Sequence, residues 1–563
     1  MNVSGRIKIL IIGGYGAFGS RLVELLKDEP RLKLIIAGRS RARAKTLCII
    51  PSKAELVPAE FDRDGDVEAQ IGWLEPDIVV DASGPFQSYG TDPYRVIRGA
   101  LAAGADYLDL ADSTEFVLGV SEFDDAVRAS KRFVLSGLST CPALSGAVVR
   151  ALARDLASVE RIIGGIAPSP YAGLGYSVVQ GVLSYAGKRV GIVRDGQSTT
   201  AAGLVDSRDY TITQPGNVPM FTRRFSLIDV PDLKLMEAAW PQAGEVWFSV
   251  GTAPSVMLKV LNTFARLVQG KLLPSIKFLA PIVHWVINHL RWGEHRGGMF
   301  MRLYGRDASG RLCRRRWHMV AEGNDGPYVP VMAAAAVIGK CLEGMPPQPG
   351  ARPASDELEL EDFAPLFAMR KISTMVLGDV PEDQNRPVYR RVLEHRYGDL
   401  AQPIQVLHEV TGSHHYRGRS RVERGKNPMA WLIATVIGFP KAGQDQPVEV
   451  ELSVENRVET WTRRFNGKGF VSTQEYGTGR YEGLVVERFG PMAVGLAPVE
   501  EDRRLYLLVR RWDILGLPMP KSLAPRIVAF EHAARDRFNF SVKLSLPLIG
   551  LIVAYRGWLE PVG

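Results

Sequence analysis

Ile7-Lys8-Ile9-Leu10-Ile11-Ile12-Gly13-Gly14-Tyr15-Gly16-Ala17-Phe18-Gly19 is a β-branched run that ends in Gly-x-Gly-x-x-Gly, read as Gly14, Gly16 and Gly19. Leu22, Val23, Leu25 and Leu26 follow at helical spacing. Strand, tight glycine turn and helix in that order open a Rossmann dinucleotide-binding fold. Gly14 is expected to permit the turn, Gly16 to let backbone approach a pyrophosphate, and Gly19 to let helix pack on strand. The free N–H groups and positive dipole end of the helix would hold phosphate charge. The cradle is therefore Gly14, Tyr15, Gly16, Ala17, Phe18 and Gly19. The competing reading is a glycine-rich turn that binds nothing.

The next strand, Leu32 to Ala37, ends at Gly38-Arg39-Ser40-Arg41. An NAD site usually places a carboxylate here, about 20 residues past the glycines, for the ribose 2′-hydroxyl. This chain places Arg39, Ser40 and Arg41 there instead. Guanidinium groups pair with a 2′-phosphate, so NADP(H) is expected over NAD(H). The blander reading is a solvated helix start. Further strands are expected at Glu55 to Phe61, Asp77 to Ala82, Tyr107 to Leu110 and Phe133 to Gly137. Ligands of open α/β sheets lie beyond the carboxyl ends of strands. Ser83, Gly84 and Pro85 should therefore border the nicotinamide ribose, and the unit should close near residue 140.

The chain has 563 residues, 46% apolar and 23% charged, which suits a protein of several domains. A net charge of +8 without a long basic run argues against nucleic acid. The four cysteines form no Cys-x-x-Cys pair, so neither a disulfide framework nor a zinc site is indicated. Neither His414-His415 nor the His284/His289 pair has the spacing of a helical metal site, and no metal is expected. A cytoplasmic location without a secretory leader is expected. No segment reaches the roughly 18 to 20 apolar residues of a membrane span. Met257, Val260, Leu261, Phe264, Leu267 and Val268 make one helical face, with Lys259, Asn262, Arg266 and Gln269 opposite. Such a helix suits a membrane surface, so 256–291 is a candidate for peripheral contact. The alternatives are packing on its own domain or on a second subunit of a homodimer.

Residues 141–375 read as an α+β domain that supplies a substrate pocket or a subunit contact, with Met345 to Ser355 as a loop. Near 375–390 the pattern changes. Val448, Val450, Leu452 and Val454 alternate with polar residues, as do Phe538, Phe540, Val542, Leu544 and Leu546. The segment 385–563 is thus expected to be an antiparallel β-rich domain, a barrel or a strongly curved sheet. Barrel interiors can hold apolar ligands. The expected class is α/β overall: a Rossmann domain at 1–140, the α+β domain, then the β-rich domain.

The glycine turn, Ala37-Gly38-Arg39, Asp81-Ala82-Ser83-Gly84-Pro85-Phe86, Tyr107-Leu108-Asp109-Leu110 and Gly137-Leu138-Ser139-Thr140-Cys141-Pro142 together resemble the saccharopine dehydrogenase-like NADP-binding family. Glu322 to Val329 and Pro349-Gly350-Ala351-Arg352-Pro353 resemble the second domain of its bacterial members. Val422-Glu423-Arg424-Gly425, Trp461-Thr462-Arg463-Arg464-Phe465, Glu487-Arg488-Phe489-Gly490, Arg510-Arg511-Trp512 and Tyr555-Arg556-Gly557-Trp558-Leu559 resemble the uncharacterised bacterial domain DUF4166. The resemblance implies an NADP-dependent oxidoreductase fused to a domain without an assigned reaction. The extension speaks against lysine metabolism.

Hydride transfer needs a bound electrophile and often a proton donor. Tyr107, Asp109, Asp112 and Cys141 lie near expected strand ends and are the candidates, each with a structural role as the alternative. Two functions remain open: an NADP(H)-dependent oxidoreductase with a small-molecule substrate, or a nucleotide-sensing protein whose end domain binds a lipid or partner.

Overall fold

The computed structural model describes residues 6–173, 175–290, 293–378 and 386–562. Arg291 of the candidate contact stretch and residues 379–385 of the expected domain junction lie outside them.

Strands β1 (Ile7–Ile12), β2 (Leu32–Gly38), β3 (Glu55–Glu60), β4 (Ile78–Asp81), β5 (Asp106–Asp109) and β6 (Phe133–Ser136) form a parallel sheet in the order 3-2-1-4-5-6. This is the doubly wound order that binds dinucleotides where the strand order reverses, between β1 and β4. Continuous apolar runs make such strands because helices cover both faces; Ile9, Leu10 and Ile11 are fully buried. Helix α1 (Gly19–Leu26) buries Leu22 and Val23. A seventh parallel strand, Gly350–Pro353, pairs with β6. It lies inside the Met345 to Ser355 stretch expected to be a loop. Four residues are too short for a periodic signal, and the Ala351 N–H is fixed from outside, by Asp124 Oδ1 at 2.8 Å.

A second, mixed sheet centres on Ser158–Ala167, which pairs parallel with Glu245–Gly251 and antiparallel with Gly297–Arg306. Helix Ser255–Gln269 buries Leu258, Leu261, Asn262 and Ala265. Asn262 was expected on the polar side; it faces inward and donates to Ser226 Oγ at 2.9 Å. Val256 and Val260 are exposed instead, as are Phe278, Ile282 and Trp285 further along. No helix among the described residues is long and apolar enough to cross a membrane.

The chain divides into two compact units: Met1–Arg208 with Arg223–Asp379, and Asp209–Thr222 with Val380–Gly563. The end domain, expected at 385–563, thus includes an excursion from the middle of the chain. Within this second unit the Glu500 N–H donates to the Gly216 carbonyl at 3.1 Å, and Arg510 donates to the Pro219 carbonyl at 2.9 Å. Its antiparallel sheet runs from Met492–Glu501 round to Arg504–Ile514, and those two strands also pair with each other. The sheet is therefore a closed barrel, which leaves the ring without an open edge.

Candidate functional site

The turn after β1 is shaped by contacts that exclude side chains. Gly13, at φ 75°, is the left-handed residue, the role expected of Gly14. A Cβ on Gly13 would lie 2.8 Å from the Ala82 carbonyl oxygen, at the end of β4. A Cβ on Gly14 would meet the Ile11 carbonyl oxygen and Ile36 Cγ2, both at 2.9 Å. A Cβ on Gly19 would strike the Gly13 carbonyl oxygen and come within 2.7 Å of Gly14 Cα. Helix α1 can therefore start against the turn only if residue 19 is glycine, and its first N–H groups then face the loop.

Tyr15 reaches across to β2. Its hydroxyl accepts the Ser40 N–H at 2.9 Å, and its ring fills the space where a Gly38 side chain would lie. The Arg43 guanidinium stacks 4.7 Å from the Tyr15 ring centre, a neighbour that no motif in the sequence marks. Ser40 caps the helix Arg41–Leu47 by accepting the Arg43 N–H. Arg39 and Arg41 are exposed, with no acidic partner within ion-pair distance among the described residues.

Beyond β4 and β5 lies a buried acid cluster. Asp81 and Asp109 are register partners on adjacent strands, and both are fully buried. Asp81 Oδ1 accepts the Ser83 N–H at 3.0 Å and the Ser83 hydroxyl at 2.5 Å, while Tyr89 Oη lies 2.8 Å from Ser83 Oγ. Asp109 Oδ1 accepts from the N–H groups of Ala111 and Gly137 and from Ser136 Oγ, at 2.8 to 3.0 Å. That fan ties the end of β5 to the end of β6. Burial pushes the Asp109 carboxyl up to about 7, and Asp109 Oδ2 has no partner among the described residues. Tyr107 is fully buried in the same core, its hydroxyl also without a partner among the described residues, and burial pushes its pKa well up. A substrate cannot reach Tyr107 in this conformation.

Cys141 is buried beside Ser145 and Asp232. Burial, then the Asp232 charge, push its thiol pKa up, so the group is held as a thiol and not as a nucleophilic thiolate. The Ser145 hydroxyl donates to Asp232, and burial pushes the Asp232 carboxyl up to about 6. Asp112 is exposed and accepts from Gln87 Nε2 at 2.9 Å. Gln87 also hydrogen-bonds Tyr185, which follows the helix Tyr176–Ser184. A Cβ on Gly175 would lie 3.8 Å from Ala17 Cβ. This wall brings together Ala17, Gln87, Asp112 and Tyr185. Gln87, Tyr185, Ser145 and Asp232 escape a reading of the sequence because their partners lie far along the chain and no local spacing marks them.

Residues 9–135 match the family described as Saccharopine dehydrogenase NADP binding domain, and residues 400–559 match Domain of unknown function (DUF4166). Among solved structures, apo saccharopine dehydrogenase (L-Glu forming) from Saccharomyces cerevisiae is similar at 12% identity and TM-score 0.47, covering 66% of this chain and 100% of its own. Biliverdin reductase from Synechocystis, in complex with biliverdin and NADP+, is similar at 11% identity and TM-score 0.29, with 63% and 94% covered. A myo-inositol dehydrogenase from Corynebacterium glutamicum is similar at 11% identity and TM-score 0.30, with 67% and 100% covered. No curated protein matches the chain by sequence. The acid cluster at the ends of β4 and β5 lies within the matched stretch 9–135.

Proposed function

We propose that the chain is an NADP(H)-dependent oxidoreductase acting on a small-molecule substrate. The observation that carries this reading is the turn at Gly13 to Gly19, whose glycines leave no room for a side chain where it meets the start of α1, with the unpaired Arg39 and Arg41 at the end of β2. The cofactor supplies or accepts the hydride. Gly14, Tyr15, Gly16, Ala17, Phe18 and Gly19 cradle its pyrophosphate. Arg39, Arg41 and Ser40 take the 2′-phosphate, and Ser83, Gly84 and Pro85 border the nicotinamide ribose. Tyr107 and Asp109 act as positioning residues that hold the strand ends in place. Gln87, Asp112 and Tyr185 form the polar wall open to substrate.

Each guanidinium hydrogen bond to a phosphate contributes roughly 1.5–3 kcal/mol. The Arg39→Ala/Arg41→Ala double variant should therefore bind NADPH about a hundredfold more weakly while NADH affinity stays within a factor of about two. Calorimetric titration with both nucleotides checks this, and equal losses for the two would remove NADP(H) preference from the proposal.

We further propose that 256–290 makes the peripheral membrane contact. Val256, Val260, Phe278, Ile282 and Trp285 are exposed, and the stretch carries Lys259, Arg266, Lys271 and Lys277 with no acidic residue. Apolar insertion plus basic charge favours an anionic bilayer. Sedimentation with phosphatidylglycerol vesicles should carry the protein down, and Phe278→Glu/Trp285→Glu should cut the bound fraction at least about fivefold. A dimer in solution that ignores vesicles would make this face a subunit contact instead.

A further inference from the structure

The barrel of the second unit surrounds a cavity whose lining changes character from end to end. At one end stand the helices Val388–Leu393 and Gln402–His408. The Val388 N–H donates to Glu459 at 2.9 Å, and His408 Nε2 lies 2.7 Å from Glu531 Oε2. Glu459, Gln474 and Glu487 stand level across three neighbouring strands at this end. Followed away from the helices, the same strands turn apolar: Glu459 gives way to Phe465, Glu487 to Phe489, and Glu531 to Ile527. Six residues of strand separate Glu459 from Phe465, a run of about 20 Å. Helix Pro428–Val436 covers the apolar end and buries Ala430 and Ala434 against the core.

The charged groups of the polar end already have partners within the unit. The Arg463 guanidinium donates to Ser472 Oγ at 2.7 Å, lies 3.4 Å from Glu487 and stacks on Trp461. Arg463 and Trp461 are thus an internal pair and need no ligand to hold them. Counting Glu531 with His408, three carboxylates face one guanidinium and one imidazole, so this end carries no surplus positive charge for an anion. Two lining atoms remain. The Tyr389 hydroxyl is fully buried and Gln474 is 2% exposed, yet neither Tyr389 Oη nor Gln474 Oε1 has a hydrogen-bond partner among the described residues. A buried polar atom left unpaired has lost its water without a replacement. Both residues line the same cavity, one with a hydroxyl that can donate and the other with an oxygen that can only accept.

We infer that the barrel binds a single-chain amphiphile with an uncharged hydroxyl head. The hydroxyl donates to Gln474 Oε1 and accepts from the Tyr389 O–H, and the hydrocarbon tail runs along the barrel toward Phe465 and Phe489. A fatty carboxylate of the same length meets Glu459 and Glu487 and is excluded. The inference stands independently of the oxidoreductase reading.

The test uses the full chain and the probe N-phenyl-1-naphthylamine, whose fluorescence rises in apolar surroundings. Saturable enhancement is expected. Dodecanol should displace the probe at a concentration about tenfold below that of dodecanoate. Gln474→Leu should keep probe binding and raise the dodecanol concentration needed for displacement about fivefold. Ala529→Trp, which fills the cavity at a buried lining position, should abolish the enhancement with the far-ultraviolet circular dichroism unchanged. The wild-type arms decide the matter even if a variant fails to fold. No saturable enhancement, dodecanoate competing as well as dodecanol, or a folded Ala529→Trp protein binding as wild type does would each overturn the inference.

Discussion

A Gly19→Ala substitution should weaken NADPH binding by about a hundredfold, or about 3 kcal/mol. The cause is geometric. The added carbon would strike the Gly13 carbonyl oxygen and press on Gly14 Cα at 2.7 Å, so the first turn of α1 must move away from the loop. Its N–H groups and dipole would then no longer converge on the position proposed for the pyrophosphate. Gly16→Ala supplies the graded control: its Cβ would meet only the Gly13 carbonyl, at 3.0 Å, with the next atom at 3.9 Å. Its melting temperature should fall less than that of Gly19→Ala, while its methyl group tests the approach of the pyrophosphate itself. Melting curves and nucleotide titrations of the two variants test both effects. Equal affinities for wild type and Gly19→Ala would show that the turn does not hold the cofactor.

The second large effect concerns pH. Native Asp109 keeps its proton up to about 7, whereas an unfolded aspartate loses it near 3.9. Between those values the native state binds the extra proton, so stability falls as pH rises through the interval and levels off above it. Across that interval of about three pH units the loss amounts to about 4 kcal/mol. Asp232, pushed up to about 6, acts in the same direction. An asparagine at 109 keeps an acceptor for the Ala111 and Gly137 N–H groups and has no charge to bury. The melting temperature of Asp109→Asn should therefore gain on wild type from pH 5 to about pH 7 and then keep a constant lead up to pH 8. Parallel melting curves across that range would mean that Asp109 is ionised in the native protein.

What could be read from the sequence was local. The Ile7 to Gly19 run and the strands down to Phe133 carry their own burial pattern, and all reappear within a residue or two. The alternation at Val448 to Val454 likewise announces a half-buried strand. The Asp232–Ser145–Cys141 and Gln87–Asp112–Tyr185 groups had no such signal, because each is assembled from elements far apart in the chain. The polar end of the barrel did leave one. In Val458–Phe465, Glu459 and Arg463 occupy the same phase as Trp461 and Phe465, so two charged residues fall on the side that faces the core. Polar residues in the apolar phase of a strand mark a place where the interior must be satisfied by something specific.

The excursion Asp209–Thr222 bears on how such a protein could arise and be taken apart. Two ready-made domains joined end to end share one connection, and a stop codon after the first would release it whole. Here the chain passes from one unit to the other at 208, 222 and 379. A product ending near residue 385 would keep Phe221 but lose Arg510, whose guanidinium lies 4.2 Å from that ring. A barrel expressed from residue 386 onward would lack the same partner from the opposite side. Neither product would therefore carry the second unit complete.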